Sequence, residues 1–189
     1  MVYTQDDYSK KSQRERIMLN ILFNQIYNKG ELQDNIYHTA IDSKEEYDSI
    51  VCRFKNNKIY QNHIWEAKIR NVDYIDILFE KNKYNSLKKV CKRFDGAPCE
   101  IYYVSTHPSG TYVFNITKIE RDNKLTWITQ NHNISTVEIW KGKKEKDIIY
   151  LPIELAKKVN IKVSDIDIIE KELKEKSLPK KKVVGFTLD

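Results

Sequence analysis

The hydrophobic positions near the amino terminus recur with the spacing of an amphipathic helix. Between Ser9 and Asn28, apolar residues return every three or four positions, which places them along one side of a helix. Gly30 follows the last of them and is suited to end the helix, because glycine adopts the left-handed backbone conformation at little cost. We therefore predict a first helix whose apolar stripe comprises Ile17, Ile21, Leu22, Phe23 and Ile26.

The following segments alternate apolar and polar residues, as strands do. Residues 35–41 predict a short first strand, and residues 47–54 a second. Residues 55–58 have two central asparagines and predict a hairpin turn, after which residues 59–70 return as a third strand. One face of the second strand is predicted to carry Asp48, Ile50, Cys52 and Phe54.

The third predicted strand carries charge on one face. Side chains alternate between faces along a strand, so Glu66, Lys68 and Arg70 point one way and the apolar residues between them point the other. Three charged groups on one face of an otherwise apolar strand are costly unless that face opens into a functional cleft. The pattern therefore predicts a functional site on this face.

Asp48 can bring a second carboxylate to Glu66, but only in one register of the hairpin. A two-residue turn at Asn56 and Asn57 places Asp48 opposite Trp65, on the wrong face. A three-residue turn, or a bulge, places Asp48 opposite Glu66. Two carboxylates beside a lysine can hold Mg²⁺, position a water and offset the charge on a phosphate under attack. Nuclease chemistry here therefore requires the longer turn or a bulge.

Beyond the hairpin, the pattern predicts a long helix over residues 73–94. Asp73 is a favourable N-cap, and Asp95-Gly96 is a favourable stop. The predicted buried positions of this helix are Ile77, Leu78, Leu87, Val90, Cys91 and Phe94. Further predicted elements are strands over 100–104 and 111–116 around a turn at 107–110, strands over 125–129 and 134–140, a short helix over 152–159 and a charged helix over 164–176.

These elements predict one domain over residues 1–160, a charged helix within residues 161–176 and a flexible basic tail over residues 177–189. In the tail, Pro179 is followed by three lysines. That run resembles a nuclear-import signal, and it equally suits contact with a nucleic-acid backbone or docking to a protein partner.

Composition narrows the function classes without choosing among them. The chain has 189 residues, 40% of them hydrophobic, which suffices for one folded core. A net charge of +6 permits a polyanionic partner but does not demonstrate one. The three cysteines form no CxxC pair and the four histidines lack metal-ligand spacing, so no zinc site is expected. With no signal peptide and no membrane-length apolar stretch, we expect a soluble cytoplasmic protein without a membrane partner.

The order of helix, strands, strand bearing Glu66-Ala67-Lys68, helix and strand resembles the PD-(D/E)XK nuclease superfamily. The resemblance covers roughly Gln13–Ile116, including residues 79–84 as the helix after the motif, and the motif itself is short. It implies an α/β fold with a restriction-endonuclease-like core, a mixed central sheet flanked by helices in the order αβββαβ. It also implies phosphodiester hydrolysis in nucleic acid, foremost DNA, with Mg²⁺ as cofactor and Mn²⁺ as its substitute.

The resemblance assigns roles to individual residues. It implies that Asp48 and Glu66 bind the metal, with a backbone carbonyl near Ala67 as a further ligand. Glu15 on the first helix matches an accessory glutamate that binds metal through water. Lys68 matches the catalytic lysine, which orients or helps deprotonate the attacking water.

Two further residues are implied to position the nucleic acid, namely Lys83 and Arg70. Arg70 equally suits pairing with a carboxylate. Asp42 competes with Asp48 for the role of metal ligand but ranks second, because it lies in a polar, loop-like segment. A second nuclease subunit, as in a homodimer, would explain double-strand cutting.

Other interpretations of the same residues stay open. A Glu-x-Lys pattern is common on the solvated face of an edge strand, and Glu15 also suits a solvated helix position. The alternative function is a catalytically inactive nucleic-acid-binding or protein-binding module on the same fold, such as a phage accessory factor. The aromatic residues at 102, 103, 112, 127 and 140 suit core and rim positions better than base stacking.

Overall fold

A computed structural model of the chain describes residues 5–27, 32–40, 45, 47–94, 96–133 and 142–177. The helices are α1 (Gln5–Ile26), α2 (Lys81–Cys91), α3 (Ile116–Arg121) and α4 (Val163–Ser177). The strands are β1 (Gln33–His38), β2 (Ser49–Lys55), β3 (Lys58–Ile69), β4 (Asp76–Glu80), β5 (Cys99–His107), β6 (Gly110–Asn115), β7 (Ile128–Asn133), β8 (Lys143–Pro152) and β9 (Lys157–Val159).

The strands form two sheets. In the larger sheet the order is β1-β2-β3-β5-β6-β9, with β3 and β5 parallel and the other neighbours antiparallel. Parallel neighbours need a crossover connection, which the segment containing β4 and α2 supplies. The smaller sheet is antiparallel, in the order β4-β8-β7. The protein is therefore a mixed α/β structure in which helices flank a multi-stranded sheet.

Two hydrophobic clusters lie on opposite faces of the larger sheet. Helices α1 and α4 pack on the face that carries Trp65 and Ala67. Helices α2 and α3 and the smaller sheet pack on the face that carries Ile64 and Tyr103. Helix α4 joins the cluster on the Trp65 face through Ile166, which is fully buried. The alternation along β3 thus separates its side chains into two different environments.

The hairpin between β2 and β3 combines a two-residue turn with a bulge. Asn56 and Asn57 both have positive φ, 52° and 60°, as the tightest hairpin turns require. The register then shifts, because Phe54 pairs with Ile59 whereas Arg53 pairs with Gln61, which leaves Tyr60 as the extra residue. After the shift, Ser49 faces Trp65, so Asp48 stands opposite Glu66. The prediction of a longer turn or a bulge is confirmed by the bulge.

The predicted helix over residues 73–94 is wrong in its first part. Residues Asp76–Glu80 form β4, and the helix begins only at Lys81. Strand β4 pairs with β8 and buries Ile77 and Phe79, a gain in pairing and burial from distant residues that helix propensity does not include. Asp73 does not cap a helix; its carboxylate accepts hydrogen bonds from the backbone N–H (3.1 Å) and hydroxyl (2.6 Å) of Ser109.

Most of the other predicted elements are present. The first helix, the three strands of residues 35–70, the strands flanking the turn at 107–110, and the charged helix of residues 164–176 are confirmed with small shifts of their ends. The predicted helix over residues 152–159 is wrong: a single 3₁₀ turn, Ile153–Leu155, precedes β9, which pairs with β6. The predicted strand over 134–140, Asp42 and the tail from residue 178 lie outside the described residues. No helix in the described ranges is long and apolar enough to cross a membrane.

Candidate active site

The backbone of Asp48 is fixed on both sides just before β2 begins. Its N–H donates to the carbonyl of Trp65 (2.9 Å), and its carbonyl accepts from the N–H of Thr39 (3.1 Å). Its side-chain Oδ2 accepts a hydrogen bond from the N–H of Ala67 at 2.7 Å. The bulge sets the register and these bonds hold it, so the carboxyl group of Asp48 lies beside the Glu66-Ala67-Lys68 segment.

Glu66 and Lys68 share the charged face of β3 and contact each other. Glu66 is only 3% exposed, and the Nζ of Lys68 lies 3.0 Å from its Oε1. The Nζ of Lys83, on α2, lies 3.2 Å from the same Oε1. Lys83 therefore lies beside Glu66, and its expected contact with nucleic acid stays a prediction.

Glu15 reaches the same site from the opposite side of the sheet. It is 3% exposed and lies on the buried stripe of α1, one and two turns before Leu19 and Leu22. Its Oε1 lies 3.4 Å from the Nζ of Lys68. The alternative of a solvated helix position is wrong for Glu15. The sequence contains the signal, because Glu15 falls on the apolar spacing of its helix.

The electrostatics of the site follow from three carboxyl groups in a confined space. Burial, together with the nearby Glu66, raises the pKa of Asp48 to about 7. Burial likewise raises the pKa of Glu15, although Lys68 opposes the change. Burial alone would lower the pKa of Lys68, but Glu66, Glu15 and Asp48 together raise it above its ordinary value. Lys68 is therefore held as a cation.

Two adjoining clefts meet at this cluster and share Glu66, Lys68 and Lys83. The smaller, about 140 Å³, lies between α1 and the segment before β2. The larger, about 480 Å³, runs from the end of β3 along β4. The charged face of β3 is thus open to solvent on two sides. Residues lining the smaller cleft include Ser12, Glu15, Arg16, Thr39, Glu45 and Asp48.

Arg70, which directly follows β3, lies in the larger cleft. Its Nη2 donates to the phenol oxygen of Tyr103 at 3.2 Å, which holds the guanidinium toward the cleft. Tyr103 is buried, and burial raises the pKa of its phenol. The alternatives for Arg70 were a phosphate contact or a carboxylate pair, and the contact observed for its side chain is with Tyr103.

Lys11 is a site residue that the sequence interpretation missed. It lines the larger cleft beside Lys68 and Arg70, and burial lowers its pKa. It lies four residues before Glu15 on α1, so the two share a helix face. This four-residue spacing in the sequence places Lys11 beside Glu15 on the helix. Lys11 adds a cation to the side of the cluster away from α2.

The donor set suits a hard cation that keeps part of its water shell. Mg²⁺ is typically bound through one or two carboxylates together with water and substrate phosphates. Asp48 and Glu66 supply two carboxylates at opposed strand positions, and the one hydrogen bond described for the Asp48 carboxyl group uses only Oδ2. Among the described residues, no group of three His, Cys, Asp or Glu side chains is arranged as a complete ligand set. A cation here would therefore have two carboxylate ligands, those of Asp48 and Glu66.

Comparisons of this chain with protein-family models, with curated proteins and with solved structures find no match. The assignment of a function therefore depends on the arrangement of the site itself.

Proposed function

We propose that this chain is a metal-dependent nuclease of the PD-(D/E)XK type that hydrolyses phosphodiester bonds in nucleic acid, with DNA as the preferred substrate class. The observation that carries the proposal is the bulged register of the β2–β3 hairpin. It places Asp48 opposite Glu66, with the Nζ of Lys68 3.0 Å from Glu66, at the junction of two clefts. An ion pair that only stabilises the fold would not require Asp48, Glu66 and Lys68 to converge where two clefts meet.

The order of elements around the site supports the same proposal. Helix α1 supplies Glu15, the loop before β2 supplies Asp48, β3 supplies Glu66 and Lys68, and α2 supplies Lys83. Strands β2 and β3 are internal strands of the larger sheet. The element order α1, β1, β2, β3, α2, β5, with the short strand β4 inserted before α2, supports the proposed αβββαβ core.

In the proposed reaction, the carboxylates of Asp48 and Glu66 would hold Mg²⁺, which would lower the pKa of a bound water and neutralise charge on the phosphate. Lys68, held as a cation by its three acidic neighbours, donates to the attacking water and stabilises the phosphate as negative charge develops. Glu15 contacts the Nζ of Lys68 and keeps it aimed into the site. The side chains of the protein therefore position the reacting groups and stabilise charge.

The cations around the cluster suit the backbone of a nucleic-acid strand. Lys83 approaches the site from α2, and it lines the larger cleft together with Arg70 and Lys11. Contacts of this kind fix the register of a strand without reading its sequence. We assign to Lys83 and Arg70 the positioning of the strand that is cut.

A second candidate function is a catalytically inactive nucleic-acid-binding module. One observation favours it: both Lys68 and Lys83 lie against the same oxygen of Glu66, so the cluster is a satisfied ion-pair network without any metal. In that case the cations would bind phosphates and no bond would be cut.

A cleavage assay separates the two. Plasmid, single-stranded DNA and RNA are incubated with the protein in Mg²⁺, in Mn²⁺ and in EDTA, alongside Glu66→Gln. The exposed acid Glu145, on β8, gives the matched control Glu145→Gln. We expect metal-dependent cleavage that Glu66→Gln removes and Glu145→Gln retains. Binding without cleavage in either metal would favour the inactive module.

A further inference from the structure

The larger cleft extends well beyond the charged cluster. It holds about 480 Å³, and only its inner end is formed by Glu66, Lys68 and Lys83. Its length follows β4, an edge strand of the smaller sheet. A phosphate group and a cation would occupy the inner end alone, so the remaining volume is available to another part of the ligand.

The cleft combines charged groups with aromatic and aliphatic side chains. The cations that line it are Lys11, Lys68, Arg70 and Lys83, and both Lys68 and Lys83 contact Glu66. The other acidic groups are Asp76 and Glu80, and Glu80 is paired with Lys146 at 2.8 Å. The remaining lining side chains are aromatic or aliphatic: Tyr74, Ile77, Leu78, Phe79, Tyr103 and Tyr150. Such a cleft suits a ligand with an anionic end and a flat apolar end.

Two tyrosines on the rim present their rings to solvent. Tyr150 is 41% exposed, and its phenol lies 3.3 Å from Gln130 on the neighbouring strand β7. Tyr74 is 47% exposed, and its ring packs edge-on against His107, with 5.9 Å between ring centroids. Both side chains are thus positioned by neighbours while their rings remain available. Exposed aromatic rings beside a cationic groove are typical of platforms on which bases stack.

We propose that the larger cleft binds an unstacked base of a single-stranded DNA segment, next to the phosphate held at Lys68. The cations at the inner end complement the phosphate, and the rings of Tyr150 and Tyr74 complement the base. The position of the phosphate rests on the proposed function. A base inside a duplex is already stacked and paired, and removing it costs free energy, so single-stranded DNA is favoured over continuous duplex.

The inference is tested by binding, measured as fluorescence anisotropy in EDTA and again in Ca²⁺. The ligands are a labelled single-stranded oligonucleotide, the matching blunt duplex, and single-stranded versions in which one abasic position is moved along the strand. The proteins are the wild type, Tyr150→Ala, Tyr150→Phe, Tyr74→Ala and the control Tyr37→Ala. Tyr37 is 56% exposed on β1 and lines neither cleft.

We expect the wild type to bind the single strand more tightly than the duplex. Tyr150→Ala should weaken binding of the single strand about 5- to 150-fold, the range for one stacked base, with a smaller loss for Tyr74→Ala. Tyr150→Phe and Tyr37→Ala should bind within about twofold of the wild type. One abasic position should reproduce the loss of Tyr150→Ala and add nothing to it, because both changes remove the same contact.

Equal affinity for single strand and duplex, or equal behaviour of Tyr150→Ala and Tyr37→Ala, would overturn the inference. Base binding that depends on Tyr150, without cleavage in Mg²⁺ or Mn²⁺, would support the inference while removing the proposed function. Cleavage that depends on Lys68 but is unaffected by Tyr150→Ala and Tyr74→Ala would retain the proposed function and overturn the base-binding cleft.

Discussion

The two faces of β3 meet different environments at Trp65 and Glu66. On one face, Trp65 is 1% exposed and packs against the rings of Phe23 and Tyr102. On the other face, Glu66 is equally well buried but is surrounded by charges, and Lys68 is 30% exposed. Successive residues of one strand therefore meet an apolar core and an open ionic cluster.

The difference shows which of these neighbouring side chains stabilises the fold. Burying an aromatic side chain contributes several kcal/mol, whereas burying a carboxylate must first offset its desolvation. The carboxyl group of Asp48, with its pKa raised to about 7, is less favourably placed as an anion than it would be in water. Groups that cost stability yet converge on a cleft are typical of functional sites. The four predictions below test this contrast.

The largest effect is expected from removing Lys68. Lys68→Ala should reduce turnover by about 10³-fold or more, since Lys68 is assigned to charge that develops only in the transition state. The variant should remain folded, and its DNA affinity should fall far less than its turnover, because Lys11, Arg70 and Lys83 also line the larger cleft. Single-turnover cleavage and anisotropy measure these quantities, and Lys58→Ala, at an exposed position of the same strand, is the control. Full activity of Lys68→Ala would remove its assigned role.

On the opposite face, Trp65→Ala should act on stability. Deleting a fully buried indole leaves a cavity and lost contacts, and costs about 3–5 kcal/mol. Urea unfolding of the variant against the exposed control Tyr37→Ala measures the loss. A cost below about 1 kcal/mol would contradict the account of Trp65 as a stabilising side chain.

The effect of Asp48→Asn on the free energy of unfolding should depend on pH, because the substitution removes a buried group that ionises. The folded-state pKa of Asp48 is about 7, above its ordinary 3.8, so the folded state binds more protons than the unfolded state between these values. The contribution of Asp48 to stability therefore falls as pH rises through this range. Asparagine removes the ionisation and keeps an oxygen to accept the Ala67 N–H bond.

Without metal, Asp48→Asn should thus be more stable than the wild type at pH 8, by about 1–3 kcal/mol, and the gain should shrink toward pH 4. Thermal unfolding in EDTA across this range measures the difference. A gain that is the same at every pH would show that charge burial at Asp48 is not its cause.

The smallest effect is expected from deleting Tyr60, the extra residue of the bulge. The deletion pairs Arg53 with Gln61 and Phe54 with Ile59 without interruption, so Asp48 still faces Glu66. Cleavage should stay within about tenfold of the wild type. Loss of all activity in a folded protein would show that the bulge does more than set the register, for instance through local twist.

The sequence was most informative where local pattern and tertiary environment agree. Helix α1, strand β3 and the separation of Glu66 from Trp65 all follow from spacing, because a helix or strand period fixes which side chains share a face. The segment of β4 was predicted as helix because its own residues suit a helix start. Its pairing with β8, some seventy residues later, is what makes it a strand.

By itself, the sequence determined the alternation that puts Glu66, Lys68 and Arg70 on one face. It also showed that Asp48 joins them only if the hairpin has a longer turn or a bulge. Only the tertiary structure decided between these registers. The bulge at Tyr60 follows from the competition between a favourable two-residue turn at Asn56-Asn57 and a register that buries both faces correctly. Glu15 and Lys11 reach the site for a similar reason, since packing of α1 across the sheet depends on burial summed over many residues.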